Sequence, residues 1–246
     1  MNELFNSKEE AINFIINLNK TFFLNQKEHI KKYYKIRGIH EKVLSSMINY
    51  IDSGKLPVEE YFSKVANDYK KESGNIMFSL DNRIHDDEII FNELFIYKNH
   101  HKIPSLTEIY IAKNKFKDKE KVKMLYAMKN SIVGLFKVIN FDNINGYVTY
   151  QDVFTHKKYK IIDISMSSLG NVYEKQEIYI YNRIINYDGI LFGTGLPCIF
   201  TNQNKKFKQF IKHHKYNKCS DFTRCIMLYN IAKDNTNTVN ILNYPQ

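Results

Sequence analysis

Tyr179, Tyr181 and Arg183 stand two residues apart in a run that alternates with Ile178, Ile180 and Ile184. Successive side chains of a strand point to opposite faces of its sheet. If the isoleucines face a core, the two phenol rings and the guanidinium share the other face. Rings beside a cation on a small barrel can stack the bases of a single strand, at about 1–3 kcal/mol per base and without reading sequence. Tyr147, or Tyr150 in the other register, extends such a patch. The competing reading covers the same face with helices and makes the tyrosines packing residues.

A second constellation is cationic. Between Lys205 and Lys215, Phe207, Phe210 and Ile211 recur at helical spacing and turn one face inward. Lys205, Lys208, Lys212 and Lys215 are left outward, on a helix able to lie along a phosphate backbone. The chain carries a net charge of +10, and the excess is uneven. Residues 201–246 hold eight Lys and Arg against two Asp and Glu, whereas residues 51–100 hold six against ten. A pI near 9.2 falls in the range that flags polyanion binding. The bland reading is a lysine-rich solvated surface, since the absence of Trp and the abundance of Asn, Ile, Lys and Tyr also suit an AT-rich gene. Lys113, Lys115, Lys117, Lys119, Lys121 and Lys123 wrap around a helix with Asp118 and Glu120 among them, which reads as a solubilising surface.

Other chemistries have thinner support. His100-His101, His213-His214, Cys198, Cys219 and Cys225 supply zinc-ligand types, but no C-x2-C knuckle gathers them. Asp86, Asp87 and Glu88 could hold a divalent cation for phosphodiester hydrolysis. Acidic residues at that point are also ordinary complements to a helix start. No nucleophile elbow, phosphate loop or dinucleotide fingerprint occurs. The glycines at 189, 193 and 195 continue as strand, which suits a bend at a barrel corner. No cofactor or metal is called for.

Two compositional halves must position these groups. Before Ser131 the chain reads as helices, opened by capping boxes at Ser7–Glu10 and Ser105–Glu108. Further helices are expected at Lys27–Ile36, at His40–Ile51 stopped by Gly54, after Pro57, from Asp86, and from Ser105 to about Asn130 with a break near Lys117. Past Ser131 the apolar period falls from 3.6 to 2. Strands are expected at Leu135–Phe141, Tyr147–Asp152, Tyr159–Ser165, Glu177–Tyr187 and Ile190–Phe200, with a hairpin at Asn145-Gly146. Helices at Lys205–Lys215 and Ser220–Lys233 follow. The expected fold is α+β: a helical region, 1–132, packed on a small five-stranded antiparallel barrel of SH3-like or OB-like type with a C-terminal helical pair, 133–246.

No apolar run reaches the roughly 18 residues a membrane helix needs. The odd, sparse cysteines point to a reducing cytoplasm. The expected function is non-enzymatic binding of single-stranded RNA or DNA, in the cytoplasm, through the basic helix and the ring-bearing barrel face. A protein-interaction module of a stress or phage-defence system is the alternative, and a metal-dependent nuclease the second. The two binding readings differ in partner, nucleic acid or protein, and neither needs a membrane.

Overall fold

The structure, a computed structural model, describes residues 24–55, 96–97, 104–168, 177–194, 198–202 and 204–214, with Arg224, Met227, Leu228 and Ile231. The helices expected after Ser7, Pro57 and Asp86, the carboxylates Asp86, Asp87 and Glu88, His100-His101, Lys215, Cys219 and Cys225 lie outside the described residues.

Three helices precede the sheet: α1 (Glu28–Asp52), α2 (Leu106–Lys113) and α3 (Lys119–Lys129). The α1 helix is continuous where two helices were expected. A Cβ at its Gly38 would meet nothing within 4 Å, so no close packing demands a glycine there. One interior glycine costs about 1 kcal/mol, while burial of Ile30, Ile36, Val43 and Met47 along one face returns about 1.5–3 kcal/mol each. The start of α2 carries the expected capping box, Ser105 Oγ accepting from Glu108 N and Glu108 accepting from Ser105 N. Asp118 caps α3, so the break near Lys117 is real.

The chain then enters β1 (Ile132–Asp142), β2 (Tyr147–Asp152), β3 (Lys158–Ile162), the short α4 (Ile164–Ser168), β4 (Ile178–Tyr187), β5 (Ile190–Gly193) and β6 (Cys198–Thr201), and ends the described run in α5 (Lys205–His214). The order is β1-β2-β3-β5-β4-β6, and β1 also pairs with β4. Five strands therefore close a barrel, and β6 extends it along the free edge of β4.

The barrel is mixed. All pairs run antiparallel except β3 with β5. Direction cannot alternate around a closed ring with an odd number of strands, so one pair must be parallel, and the all-antiparallel expectation is corrected on that ground. The expected fifth strand is two strands, because the chain leaves the barrel at Gly193 and returns as β6 on β4. The first strand serves two neighbours: residues 132–137 pair with β4 and residues 136–142 with β2. An irregularity between Val138 and Asn140 bends it around the corner.

Turn chemistry differs from expectation at one hairpin. Of Asn145 and Gly146, only Gly146 takes positive φ, at +70°. The two-residue turn with both φ positive lies instead at Asp188 (53°) and Gly189 (79°), between β4 and β5.

Inside the barrel sit Phe136, Val138, Val148, Tyr150, Ile161, Ile178, Ile180 and Ile184, with Met166 of α4 closing one end. Asp163 fixes that plug, its Oδ1 accepting from Met166 N and its Oδ2 from the Tyr150 hydroxyl. Burial pushes the Asp163 carboxyl above its ordinary range. Outside, the α1–α3 bundle packs on Ile185, Tyr187 and Phe192 of β4 and β5. The α5 helix packs on Leu135, Tyr181 and Phe200 through Phe207 and Phe210.

Candidate nucleic-acid interface

The alternation read along β4 is correct. Ile178, Ile180 and Ile184 enter the barrel, and Tyr179, Tyr181 and Arg183 lie on its outer side. That outer side is covered. Phe207 of α5 stacks on Phe200 at 4.6 Å and meets the Tyr179 ring at 5.1 Å. Tyr181 is 5% exposed and Arg183 3%. The Arg183 guanidinium sits 4.8 Å over the Tyr97 ring, and its Nη1 donates to Ser131 Oγ. Only Tyr179 reaches solvent in part, with its hydroxyl donating to Glu177. The expected open platform is thus a packed layer. The physical reason is position: β4 pairs with three strands and lies at the centre of the sheet, so its outer face receives helices on both halves. Lys205, Lys208 and Lys212 do face outward on α5 and make no ion pair with a described residue.

Another face of the barrel is open. The outer side chains of β1, β2 and β3 form ladder rungs. Lys137, Gln151 and Lys158 make one rung; Asn140, Thr149 and Lys160 the next; Asp142, Tyr147 and Ile162 the third. Lys158, Lys160 and Asn140 are exposed, and Lys137, Gln151, Thr149 and Tyr147 are half-buried. Lys158 and Lys160 share this side because Tyr159 and Ile161 between them turn toward the interior. Two residues along a strand span about 6.7 Å and neighbouring strands lie about 4.8 Å apart, so the lysines of adjacent rungs repeat on the scale of one extended nucleotide.

Helix α1 braces one end of this face. Lys27 Nζ donates to Ile144 O at 2.5 Å and to Asn145 Oδ1 at 2.7 Å. His29 Nε2 lies 2.8 Å from Asn145 O. A carbonyl only accepts, so Nε2 carries the proton there. The His29 ring stacks on Tyr147 at 5.1 Å and 8°, and Lys160 Nζ lies 4.4 Å from the same ring. At the other end Lys137 pairs with Glu177. Their hydrogen bond holds the Lys137 ammonium above, and the Glu177 carboxyl below, their ordinary ranges. Lys157, Lys158 and Lys160 have no carboxylate within ion-pair distance among the described residues. The face is therefore cationic, wettable and held rigid by a sheet. It can carry phosphates on its lysines and hydrogen-bond sugars or base edges through Asn140, Thr149 and Gln151. Reading the sequence overlooked Lys158 and Lys160, although the polar phase of Lys158-Tyr159-Lys160-Ile161 is the signal that finds them.

Among the described residues, no three His, Cys, Asp or Glu side chains gather where a metal could sit. No described helix is long and apolar enough to cross a membrane. A family model described as a family of unknown function, DUF7986, matches residues 27–241. No curated protein and no solved structure matches the chain.

Proposed function

We propose, for a chain that belongs to the family of unknown function DUF7986, that it binds single-stranded RNA or DNA without covalent chemistry, on the outer β1–β2–β3 face. The observation that carries this reading is the uncovered lysine ladder: helices pack on the outer sides of β4, β5 and the first half of β1, while no described element packs on the rungs bearing Lys158 and Lys160. Connectivity supports it. A barrel ordered 1-2-3-5-4 and closed on strand 1, with strands 3 and 5 parallel and a short helix after strand 3, supports reading it on the OB-like plan. In that plan strands 2 and 3 and the loop between strands 1 and 2 form the oligonucleotide surface. The exposed lysines of α5 add cationic area outside the barrel.

The rival partner, a protein, fits less well. A protein-docking surface calls for a contiguous apolar patch of a few hundred Å². Here the exposed apolar residues at the margin are Ile139 and Ile144, and the rungs between are polar. The reading includes a cytoplasmic location, supported by the odd, sparse cysteine set.

Salt titration tests it. Fluorescence anisotropy of a labelled single-stranded 12-mer is followed on the full chain at 50 and 200 mM salt. If Lys157, Lys158 and Lys160 each release a counterion, log K falls with log salt at a slope near −2, about 20-fold weaker binding across that range. Absence of binding at 50 mM, or binding indifferent to salt, contradicts the reading.

A further inference from the structure

The first rung of the lysine ladder does not stop at β1. Lys137 pairs with Gln151 on one side and with Tyr179 of β4 on the other. Gln151 in turn faces Lys158, and Tyr179 faces Phe200 of β6. Residues directly opposite on antiparallel strands share a face, so Lys158, Gln151, Lys137 and Tyr179 form one row across four strands. Helix α5 is seated at the far end of that row, where Phe207 meets the Tyr179 ring, and it carries the exposed Lys205 and Lys208.

An acid interrupts the row. Glu177 lies two residues before Tyr179, just ahead of β4. Its Oε1 accepts from the Lys137 ammonium, and its Oε2 from the Tyr179 hydroxyl at 3.2 Å. The same ammonium stands 5.9 Å from the centre of the Tyr179 ring. Burial, with the Glu177 charge beside it, pushes the Tyr179 phenol above its ordinary range, so it keeps the proton it donates. The pair is open to water: the Lys137 side chain is 35% exposed and that of Glu177 46%. The Glu177 backbone is held, its carbonyl accepting from Asn202 N at 3.1 Å. The carboxylate can therefore leave by rotation of its own side chain.

We infer that Lys137 and the Tyr179 hydroxyl form a phosphate subsite at the end of the ladder, which the Glu177 carboxylate occupies until a bound strand displaces it. The inference rests on the strand-binding reading above. A carboxylate and a phosphodiester each present two oxygens that share one negative charge, and two separate donors suit either. Lys137 lies two strands from Lys158, about 9.6 Å, within the span of two extended nucleotides. Once Lys158 and Lys160 hold neighbouring phosphates, the next phosphate competes with Glu177 as a tethered group rather than a free ion. Glu177 is thus a built-in competitor that lowers affinity for the strand.

The test is a double-mutant cycle on the full chain, read by anisotropy of the labelled single-stranded 12-mer at 100 mM salt. Glu177→Gln still accepts from the Tyr179 hydroxyl but no longer neutralises Lys137. It is expected to bind the 12-mer about sixfold tighter than the parent, and in the Lys137→Gln background only about twofold tighter. The twofold part is plain charge repulsion; the remaining factor of about three is the exposed ion pair that the strand must break. Equal gains in the two backgrounds, or no gain in the parent, overturn the inference. If the parent binds with the expected salt slope while the gains are equal, the subsite falls and the ladder stands. If the excess gain appears while Lys158→Glu with Lys160→Glu leaves affinity intact, the subsite stands and the ladder falls. If none of the four proteins of the cycle binds at 50 mM salt, both fall.

Discussion

His40 should make this protein acid-labile by about one proton. It lies on the buried side of α1, 2% exposed, with Nε2 2.8 Å from the Tyr97 hydroxyl and its ring edge-on to Phe192 at 5.9 Å. Its Nδ1 has no hydrogen-bond partner among the described residues. Burial, with the Arg37 charge one turn away, holds the imidazole from its ordinary 6.5 down to about 3. The unfolded chain takes up a proton near pH 6.5 that the folded chain refuses until about pH 3, so this contribution is complete above pH 6.5 and drains as pH falls. Each pH unit between those two values is worth about 1.36 kcal/mol, so the loss is about 2 kcal/mol by pH 5 and tends toward about 5 kcal/mol below pH 3. The comparison is with His40→Gln, which cannot titrate there and still reaches toward Tyr97. Urea unfolding at pH 5, 6 and 7.5 gives the stability of both proteins. The difference between them should shrink by about 2 kcal/mol from pH 7.5 to pH 5, because only the parent suffers the His40 loss. A difference that stays constant across that range refutes the buried, neutral His40.

Three other substitutions probe the frame. Gly193→Ala places a Cβ 2.6 Å from Asn182 Nδ2 inside the barrel, so it should cost about 1–3 kcal/mol in chemical denaturation, and Asn182→Ser in the same chain should return part of that. Phe207→Ala removes the ring stacked on Phe200 and should cost about 3–5 kcal/mol, read as a lower urea midpoint. Ser105→Ala breaks the capping box of α2 and should cost about 1 kcal/mol, read as a lower melting temperature.

Much of this frame is legible one strand at a time. The bounds of β2, the alternation of β4, the Ser105 cap and the break before α3 follow from local pattern, because each depends on neighbours in sequence. What covers a strand depends on elements far along the chain. Tyr179 and Tyr181 look like an exposed pair until Phe207 and Phe210 need an apolar seat, and the two requirements satisfy one another. An amphipathic α5 with no stated partner was the available clue. Ring closure is likewise global: the parallel β3–β5 contact rests on a single register pair, Ile162 with Phe192, and no local pattern announces it. Lys158 and Lys160 are legible as the polar phase of a short strand, but two lysines are a weaker charge signal than the runs at 113–123 and 205–215. The division into helices at Lys27–Ile36 and His40–Ile51 has no counterpart in the structure, where one helix runs through both.

The most direct measurement is charge reversal on two surfaces, with affinity for a single-stranded 12-mer determined at 100 mM salt. Lys158→Glu with Lys160→Glu should abolish most binding and reduce the salt slope by about 1.4, two phosphate contacts at roughly 0.7 each. Lys208→Glu with Lys212→Glu, on the outside of α5, should weaken binding less. Full retention of affinity in the β3 pair contradicts the account, as does loss of binding only in the α5 pair.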